Sequence, residues 1–187
     1  MNQKPMLTQC RLLMAITLAM ICAAVPAEAA SENLKGTSFL TFVSANFSYD
    51  GLAPANLNLA RGQDNLGGRF SSQGVSEYTV GLSCHEPDGS LGTEFDLLQL
   101  DSVNVYSDGQ IFATASGPSA AHLCATAAGL IVGIATLRVT GGTGRFVNAS
   151  GTLVVTFTGQ VLVSGAASGG YGDLGSLSVS YRGTVAY

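Results

Sequence analysis

Few side chains in this sequence could carry out chemistry. Charged residues make up 11% of the 187 residues, against about 25% in an average globular protein. Glu77 lies in a predicted strand between Gly74 and Gly81. If it faced a cavity, burial would favour its protonated form and suit it to proton transfer, whereas facing water it would be an ordinary surface residue. Alternation along a strand leaves both interpretations open.

Arg138 is the second candidate, because it interrupts an apolar strand pattern over 130–140. An arginine in a buried strand needs a partner. It could bind a substrate carboxylate through two parallel hydrogen bonds, or it could pair with Asp96 or Asp101 across the sheet. Glu77 and Arg138 are therefore the candidate catalytic residues, and whether the protein is an enzyme stays open.

A pair of carboxylates, Glu94 and Asp96, is spaced to share one face of a strand. Such a pair can share a proton and supply a general acid, although we favour a solvated face beside a turn. The two histidines, His85 and His122, each lie near a cysteine in a predicted loop, so the pattern indicates no Ser-His-Asp triad. We expect no metal site and no cofactor.

The first 29 residues have the pattern of a secretory signal peptide. Lys4 and Arg11 give a positive start, an apolar run covers 12–25, and Ala27-Glu28-Ala29 matches the small-x-small cleavage pattern. The apolar run is too short to span a bilayer, which needs about 20 residues. An uncleaved membrane anchor is the weaker alternative. We expect a secreted or periplasmic protein with no membrane span after cleavage.

Two of the four cysteines, Cys84 and Cys124, lie beyond this segment. Two cysteines in an exported chain most often pair. With His85 and His122 nearby, a metal site is one alternative and two free thiols are another. We predict a disulfide with Cα atoms about 4.4–6.8 Å apart, joining two loops at the same end of the domain.

The rest of the chain alternates apolar and polar residues between glycine-rich turns, which is typical of an all-β domain. Strands that are apolar on both faces indicate a filled interior and an outer partner surface. The predicted strands cover 37–45, 69–84, 94–106, 110–116, 130–140, 152–163 and 177–187, with loops over 47–68, 120–128 and 166–175. We predict a closed antiparallel β-barrel of about eight strands over residues 30–187.

The net charge of −4 argues against nucleic-acid binding, because little here would neutralise a phosphate backbone. The partners that fit an exported barrel of this composition are a small apolar ligand inside it and further copies of the chain outside it. We therefore expect no nucleic acid, and we keep ligand binding and homo-oligomer formation as hypotheses.

Residues 139–151 contain the densest glycine motif of the chain. Gly141-Gly142-Thr143-Gly144 lacks the lysine and the flanking βαβ unit of a phosphate-binding loop. It fits a turn between two antiparallel strands, in which Phe146 would plug one end of a barrel while Ala149 and Gly151 leave room for close packing.

This stretch resembles the GGTG-x-F-x-x-A-x-G turn of the dirigent and allene oxide cyclase barrel superfamily. The matching residues are Gly141, Gly142, Thr143, Gly144, Phe146, Ala149 and Gly151. The Cys-x-x-Pro-Asp-Gly turn over 84–89 is similar to one in secreted bacterial proteins of that layout. The broader strand layout extends the resemblance from about residue 70 to the C-terminus.

The resemblance implies an eight-stranded antiparallel barrel, often trimeric, with an apolar cavity. Some relatives cyclise or isomerise a lipid-derived epoxide without a cofactor, and others steer the coupling of phenoxy radicals. The matching turn is structural in that superfamily, so it transfers no catalytic residue to this chain. Two function classes follow: a cavity protein for a small apolar ligand, with cofactor-free isomerase or cyclase activity as a further hypothesis, and a non-catalytic exported barrel that acts through its outer face.

Overall fold

The computed structural model describes residues 31–45, 55–117, 119–164 and 173–187. The predicted signal peptide and most of the predicted loop over 166–175 lie outside the described residues. Within them the chain is all-β. The nine strands are β1 Ser31–Ala45, β2 Ala55–Asp64, β3 Gly68–His85, β4 Leu91–Val105, β5 Gly109–Ser116, β6 Ala121–Thr126, β7 Leu130–Gly144, β8 Ser150–Val163 and β9 Leu174–Ala186.

All nine strands form one antiparallel sheet that returns on itself. Following the hydrogen-bonded neighbours gives β1, β2, β3, β4, β5, β7, β8, β9 and then β1 again, a ring of eight strands. Alternate residues of each strand therefore point into the ring and out of it. The inward residues supply most of the hydrophobic core.

The ninth strand, β6, lies between β4 and β7, as β5 does, but further along those two strands. β4 pairs with β5 over Gln99–Val105 and with β6 over Gly92–Asp96, and β7 pairs with both. The predicted loop over 120–128 is therefore wrong, because most of it is a strand. Its period-two pattern is hidden by small inward alanines, among which Ala121 is only 2% exposed.

The predicted loop over 47–68 is also wrong, since β2 occupies 55–64. The described alternation in β2 runs opposite to the usual one: Leu57 and Leu59 are 45% and 59% exposed, while Asn58 and Ala60 face the interior. A half-buried strand normally has apolar residues inside and polar residues outside. β2 has leucine outside and asparagine inside, so its sequence does not show the expected pattern.

Aromatic side chains fill one end of the ring of strands, where the β2–β3, β4–β5 and β7–β8 turns meet. Tyr106 lies between Phe70 and Phe146 with its ring tilted against both, at centroid distances of 5.6 Å and 5.2 Å, and Phe146 contacts Tyr187 at 5.0 Å. Phe146 is fully buried. We call this the aromatic end. The prediction that Gly141-Gly142-Thr143-Gly144 forms the turn is wrong, because these residues are the end of β7 and pair with β5, and the turn to β8 begins at Arg145. The strand needs glycine at position 144, where φ is +61° and a side chain would collide with the carbonyl of Asp108.

The disulfide between Cys84 and Cys124 is confirmed, with Cα atoms 6.0 Å apart. The expectation that both cysteines lie in loops is wrong: Cys84 lies in β3 and Cys124 in β6, on either side of β4. The bond crosses over Gly92 of β4, where any side chain would press on the Cys124 sulfur. The disulfide therefore ties three neighbouring strands together.

Tight turns join β3 to β4 and β4 to β5. Tyr106 donates its backbone N–H to the carbonyl of Gly109 across the β4–β5 turn. In the β3–β4 turn, Gly89 has a φ of +84°, and Asp88 accepts hydrogen bonds from the backbone and hydroxyl of Ser90. Among the described residues, no helix has the length and apolar character needed to cross a membrane.

Candidate functional site

A cavity of about 140 Å³ lies inside the ring of strands. One wall is apolar and comes from β7, β8 and β9; its residues are Ala135, Leu137, Leu153, Val155, Phe157, Leu177 and Val179. A cavity of roughly 150 Å³ with apolar walls is large enough to bind a benzene-sized molecule. The cavity therefore has room for a small ligand but not for a lipid chain.

The opposite wall comes from β1 to β4 and mixes the apolar residues Leu40, Ala60, Phe70 and Leu100 with hydrogen-bonding side chains. We call it the polar wall because it carries most of the polar groups of the cavity. Its polar residues are Ser38, Asn58, Ser72, Tyr78, Ser102 and Asn104. Burying such groups costs stability unless each has a hydrogen-bond partner. Asn58 donates to the Ser76 hydroxyl at 2.9 Å and Ser102 donates to the Ala113 carbonyl at 3.3 Å. The cavity thus has one apolar wall and one mixed wall that carries hydrogen-bonding groups.

Ser38 and Ser72 stand out on the polar wall, because no hydrogen bond of either hydroxyl to a described residue is found in the structure. Among the described residues, Glu86 Oε1 is the only fully buried side-chain oxygen or nitrogen that has no hydrogen-bond partner. The Ser38 and Ser72 hydroxyls are therefore not fully buried. Both hydroxyls therefore remain able to bond a molecule in the cavity. Burial also raises the pKa of the neighbouring Tyr78 phenol, partly offset by its hydrogen bond with Ser76, which keeps that phenol a donor.

Glu77 and Arg138 do not line this cavity. Glu77 is 2% exposed and lies in register with Ala55 and Gln99, while its neighbour Tyr78 faces the cavity. Arg138 is exposed, and no described carboxylate lies within ion-pair distance of it, so the expected pairing with Asp96 or Asp101 is not seen. The structure does not bring Glu77 and Arg138 together.

A partly buried hydrogen-bond centre that the sequence pattern did not predict lies beside the aromatic end. One oxygen of Asp64 accepts hydrogen bonds from the Tyr106 and Tyr181 hydroxyls, at 2.6 Å and 3.0 Å, and the other accepts the backbone N–H groups of Leu66 and Gly67 at 2.9 Å. Burial, followed by the Asp64 carboxylate, raises the pKa of both phenols. All four donors are groups of the protein itself, and their bonds to Asp64 connect separate strands and a turn. The centre therefore stabilises the structure.

A second group lies on the outer surface, where His122 of β6 stands opposite Asp96 of β4. His122 Nδ1 is 3.0 Å from Glu94 Oε1 and 3.7 Å from Asp96 Oδ1. The side chains of Glu94 and Asp96 are 29% and 27% exposed. The sequence placed the two carboxylates on one face, but the contact with His122 depends on the pairing of β4 with β6. Nothing local in the sequence signals that pairing.

Comparison with known proteins gives little. No protein-family model matches the sequence, and no curated protein matches it. A solved structure described as "Pyocyanin demethylase" is similar to this chain at 17% identity and a TM-score of 0.39, covering 80% of this chain and 99% of its own.

Proposed function

We propose that this chain is an exported β-barrel that binds a small amphipathic molecule in its lumen. The observation that carries the proposal is the cavity with one apolar wall and a facing wall in which polar side chains lie among apolar ones. Polar groups inside a ring of strands cost stability unless they are bonded, and the Ser38 and Ser72 hydroxyls have no hydrogen-bond partner among the described residues. Their presence opposite leucine, valine and phenylalanine fits a ligand with an apolar body and one hydrogen-bonding edge.

The resemblance of residues 141–151 to the dirigent and allene oxide cyclase turn supports the same proposal. Relatives of that kind hold their substrates inside an eight-stranded barrel and need no cofactor. The proposal refines the expectation of an apolar ligand: the polar wall favours a compact molecule such as a substituted phenol. Whether the lumen also isomerises or cyclises its ligand is a further hypothesis, for which Tyr78 is a better placed proton donor than Glu77 or Arg138.

Native mass spectrometry of the purified, disulfide-bonded protein against a panel of small molecules tests the proposal. The panel contains p-cresol as the matched amphipathic ligand, toluene as its apolar counterpart and glycerol as a polar one. We expect p-cresol to give the most abundant one-to-one complex, toluene a weaker one and glycerol none. Equal adduct formation by all three compounds would indicate surface association and contradict lumen binding.

A cavity-filling variant separates lumen binding from binding elsewhere. Ala135 lines the cavity and is 3% exposed, so Ala135→Leu should occupy part of the space and remove most p-cresol binding. Ala127→Leu is the matched control, because Ala127 is exposed in the β6–β7 turn. Unchanged p-cresol binding in a folded Ala135→Leu protein would contradict the proposed site.

A second candidate function, association through the outer face, has its own supporting observation. Outward apolar side chains continue across neighbouring strands, from Val43 and Leu57 to Leu59, Val103 and Phe112. Surfaces of this kind mark interaction sites in soluble proteins. The two functions are compatible, since one uses the lumen and the other the outside, and homo-oligomer formation is the form of association we propose.

A further inference from the structure

We infer that Glu94, Asp96 and His122 form a binding site for a divalent transition-metal ion on the outer face of β4 and β6. Each residue offers one ligand atom, and the three atoms lie within 4.8 Å of one another. An imidazole nitrogen with two carboxylate oxygens suits ions such as Zn²⁺. This site is independent of the lumen, because its side chains point away from the cavity.

The distances fit a small tetrahedral ion. Zinc bonds of about 2.0–2.2 Å at tetrahedral angles place ligand atoms about 3.3–3.6 Å apart. The separations from His122 Nδ1, 3.0 Å to Glu94 and 3.7 Å to Asp96, lie just below and just above this range, and the two carboxylate oxygens lie within 4.8 Å of each other. Small side-chain rotations would therefore bring all three atoms to bonding distance, leaving a fourth position for water or another ligand.

The backbone around the site is held in place by the disulfide. Cys124 lies directly opposite Glu94 and two residues from His122, and its bond to Cys84 fixes β6 against β4 and β3. All of these residues alternate onto the same face of the sheet. The relative position of the imidazole and the carboxylates is thus set by a covalent link rather than by side-chain contacts alone, which favours a preorganised site.

The neighbouring strand leaves space above the carboxylates. β3 has an irregular register between Val80 and Ser83, and it places Gly81 beside the two acids. A Cβ atom at position 81 would lie 3.1 Å from Asp96 Oδ2 and 3.4 Å from Glu94 Cβ. A glycine here keeps the carboxylates free to turn toward an ion.

Charge favours a cation at this position. No lysine or arginine among the described residues lies within ion-pair distance of Glu94 or Asp96; their only basic contact is His122. With a neutral imidazole the cluster carries two adjacent negative charges, and a divalent ion would neutralise both. The competing explanation is an internal ion pair that binds no metal, which the following experiment separates.

Isothermal titration calorimetry of the purified, disulfide-bonded protein with ZnCl₂ tests the site. We expect one ion per chain, at least about tenfold weaker binding for His122→Ala and for Glu94→Gln with Asp96→Asn, and unchanged binding for His85→Ala. His85 is the matched control, because it is the other histidine of the chain and is exposed beside the same disulfide. Urea unfolding without metal checks that each variant is folded.

Two results would overturn the inference. One is the absence of zinc binding by the wild-type protein, which would leave an internal ion pair only. The other is equal binding by wild-type and His122→Ala proteins, which would place any bound zinc elsewhere. Titration with Co²⁺ gives a second readout: the visible absorption of a nitrogen- and oxygen-ligated cobalt ion should appear in the wild type and His85→Ala and be absent in His122→Ala.

Discussion

Asp64 joins three parts of the sheet through one carboxylate. It ends β2, and it accepts hydrogen bonds from Tyr106 after β4, from Tyr181 of β9 and from the backbone of the β2–β3 turn. These strands are far apart in the sequence and meet only at the aromatic end. The carboxylate therefore acts as a structural centre, although nothing in its local sequence distinguishes it from a surface aspartate.

Replacing Asp64 with alanine should destabilise the protein by about 3 kcal/mol, because two buried phenols and two backbone N–H groups would lose a charged acceptor. Urea unfolding measures the change. Asp101→Ala is the control, since Asp101 is exposed on β4, and it should change stability by no more than about 0.5 kcal/mol. Equal effects of the two substitutions would contradict the role given to Asp64.

Alkaline pH should destabilise the protein through Tyr106 and Tyr181. Burial and Asp64 raise the pKa of both phenols in the folded state, whereas unfolded tyrosine ionises near pH 10. The unfolded chain thus releases protons that the folded chain keeps. The stabilisation is fully present below about pH 10 and is lost as pH rises further, by up to about 1.4 kcal/mol per pH unit for each phenol.

Urea unfolding between pH 8 and pH 11, with tyrosinate absorbance recorded in parallel, tests this expectation. The slope above pH 10 should be negative in the wild type and smaller in Tyr181→Phe. Stability that stays constant to pH 11, or complete tyrosinate formation before unfolding, would contradict it.

At the scale of elements, β2 was not predicted because its apolar residues face outward and its polar residues face inward. Leu57 and Leu59 point outward and Asn58 points inward, so the usual assignment of apolar residues to the core gives the wrong face. β6 was not predicted for a different reason: alanine at its inward positions differs little in hydrophobicity from the outward residues. In contrast, β7, β8 and β9 carry large apolar residues on their inward faces, and their patterns predicted these strands, although β7 continues through the glycine motif to Gly144.

Leu59→Lys should leave stability within about 0.5 kcal/mol of the wild type, because the side chain is 59% exposed and its removal opens no cavity. If the outer face mediates association, the same substitution should reduce the mass observed by analytical ultracentrifugation. Leu153→Ala, in the core at 5% exposure, is the contrasting variant and should cost about 2–5 kcal/mol. A comparable loss in both variants would mean that β2 is oriented the other way.

The disulfide contributes stability to the β3–β4–β6 region. Replacing Cys84 and Cys124 together with alanine should lower the free energy of unfolding by about 4 kcal/mol, as expected for a closed loop of about forty residues. Thermal and urea unfolding of the oxidised wild type and the double variant measure this. A loss below about 1 kcal/mol would show that the strand pairing alone holds this region.

The local sequence contains part of each site but not its assembly. Counting cysteines was enough to predict the Cys84–Cys124 bond, and spacing was enough to place Glu94 and Asp96 on one face. The contact with His122 and the polar wall of the cavity depend on strand register across the ring. Register follows from long-range pairing, which alternation along one strand does not specify.

At the scale of the whole molecule, the ring separates two chemical environments. Its lumen places serine and asparagine from β1–β4 opposite aliphatic side chains from β7–β9, while its outer face carries the disulfide, the Glu94–Asp96–His122 group and the exposed leucines of β2. One sheet can therefore hold a ligand inside and make contacts outside without either use disturbing the other.

The most direct test of the account is a ligand titration that removes hydrogen bonds from the lumen without changing its shape. Affinities of p-cresol and toluene should be measured by NMR for the wild type and for the Ser38→Ala, Ser72→Ala double variant. We expect p-cresol to bind about five- to tenfold more weakly to the double variant, as the loss of about 1 kcal/mol of hydrogen bonding predicts, while toluene binds both proteins equally. An unchanged p-cresol affinity in the double variant, or no p-cresol binding to the wild type, would contradict the proposed two-walled binding site.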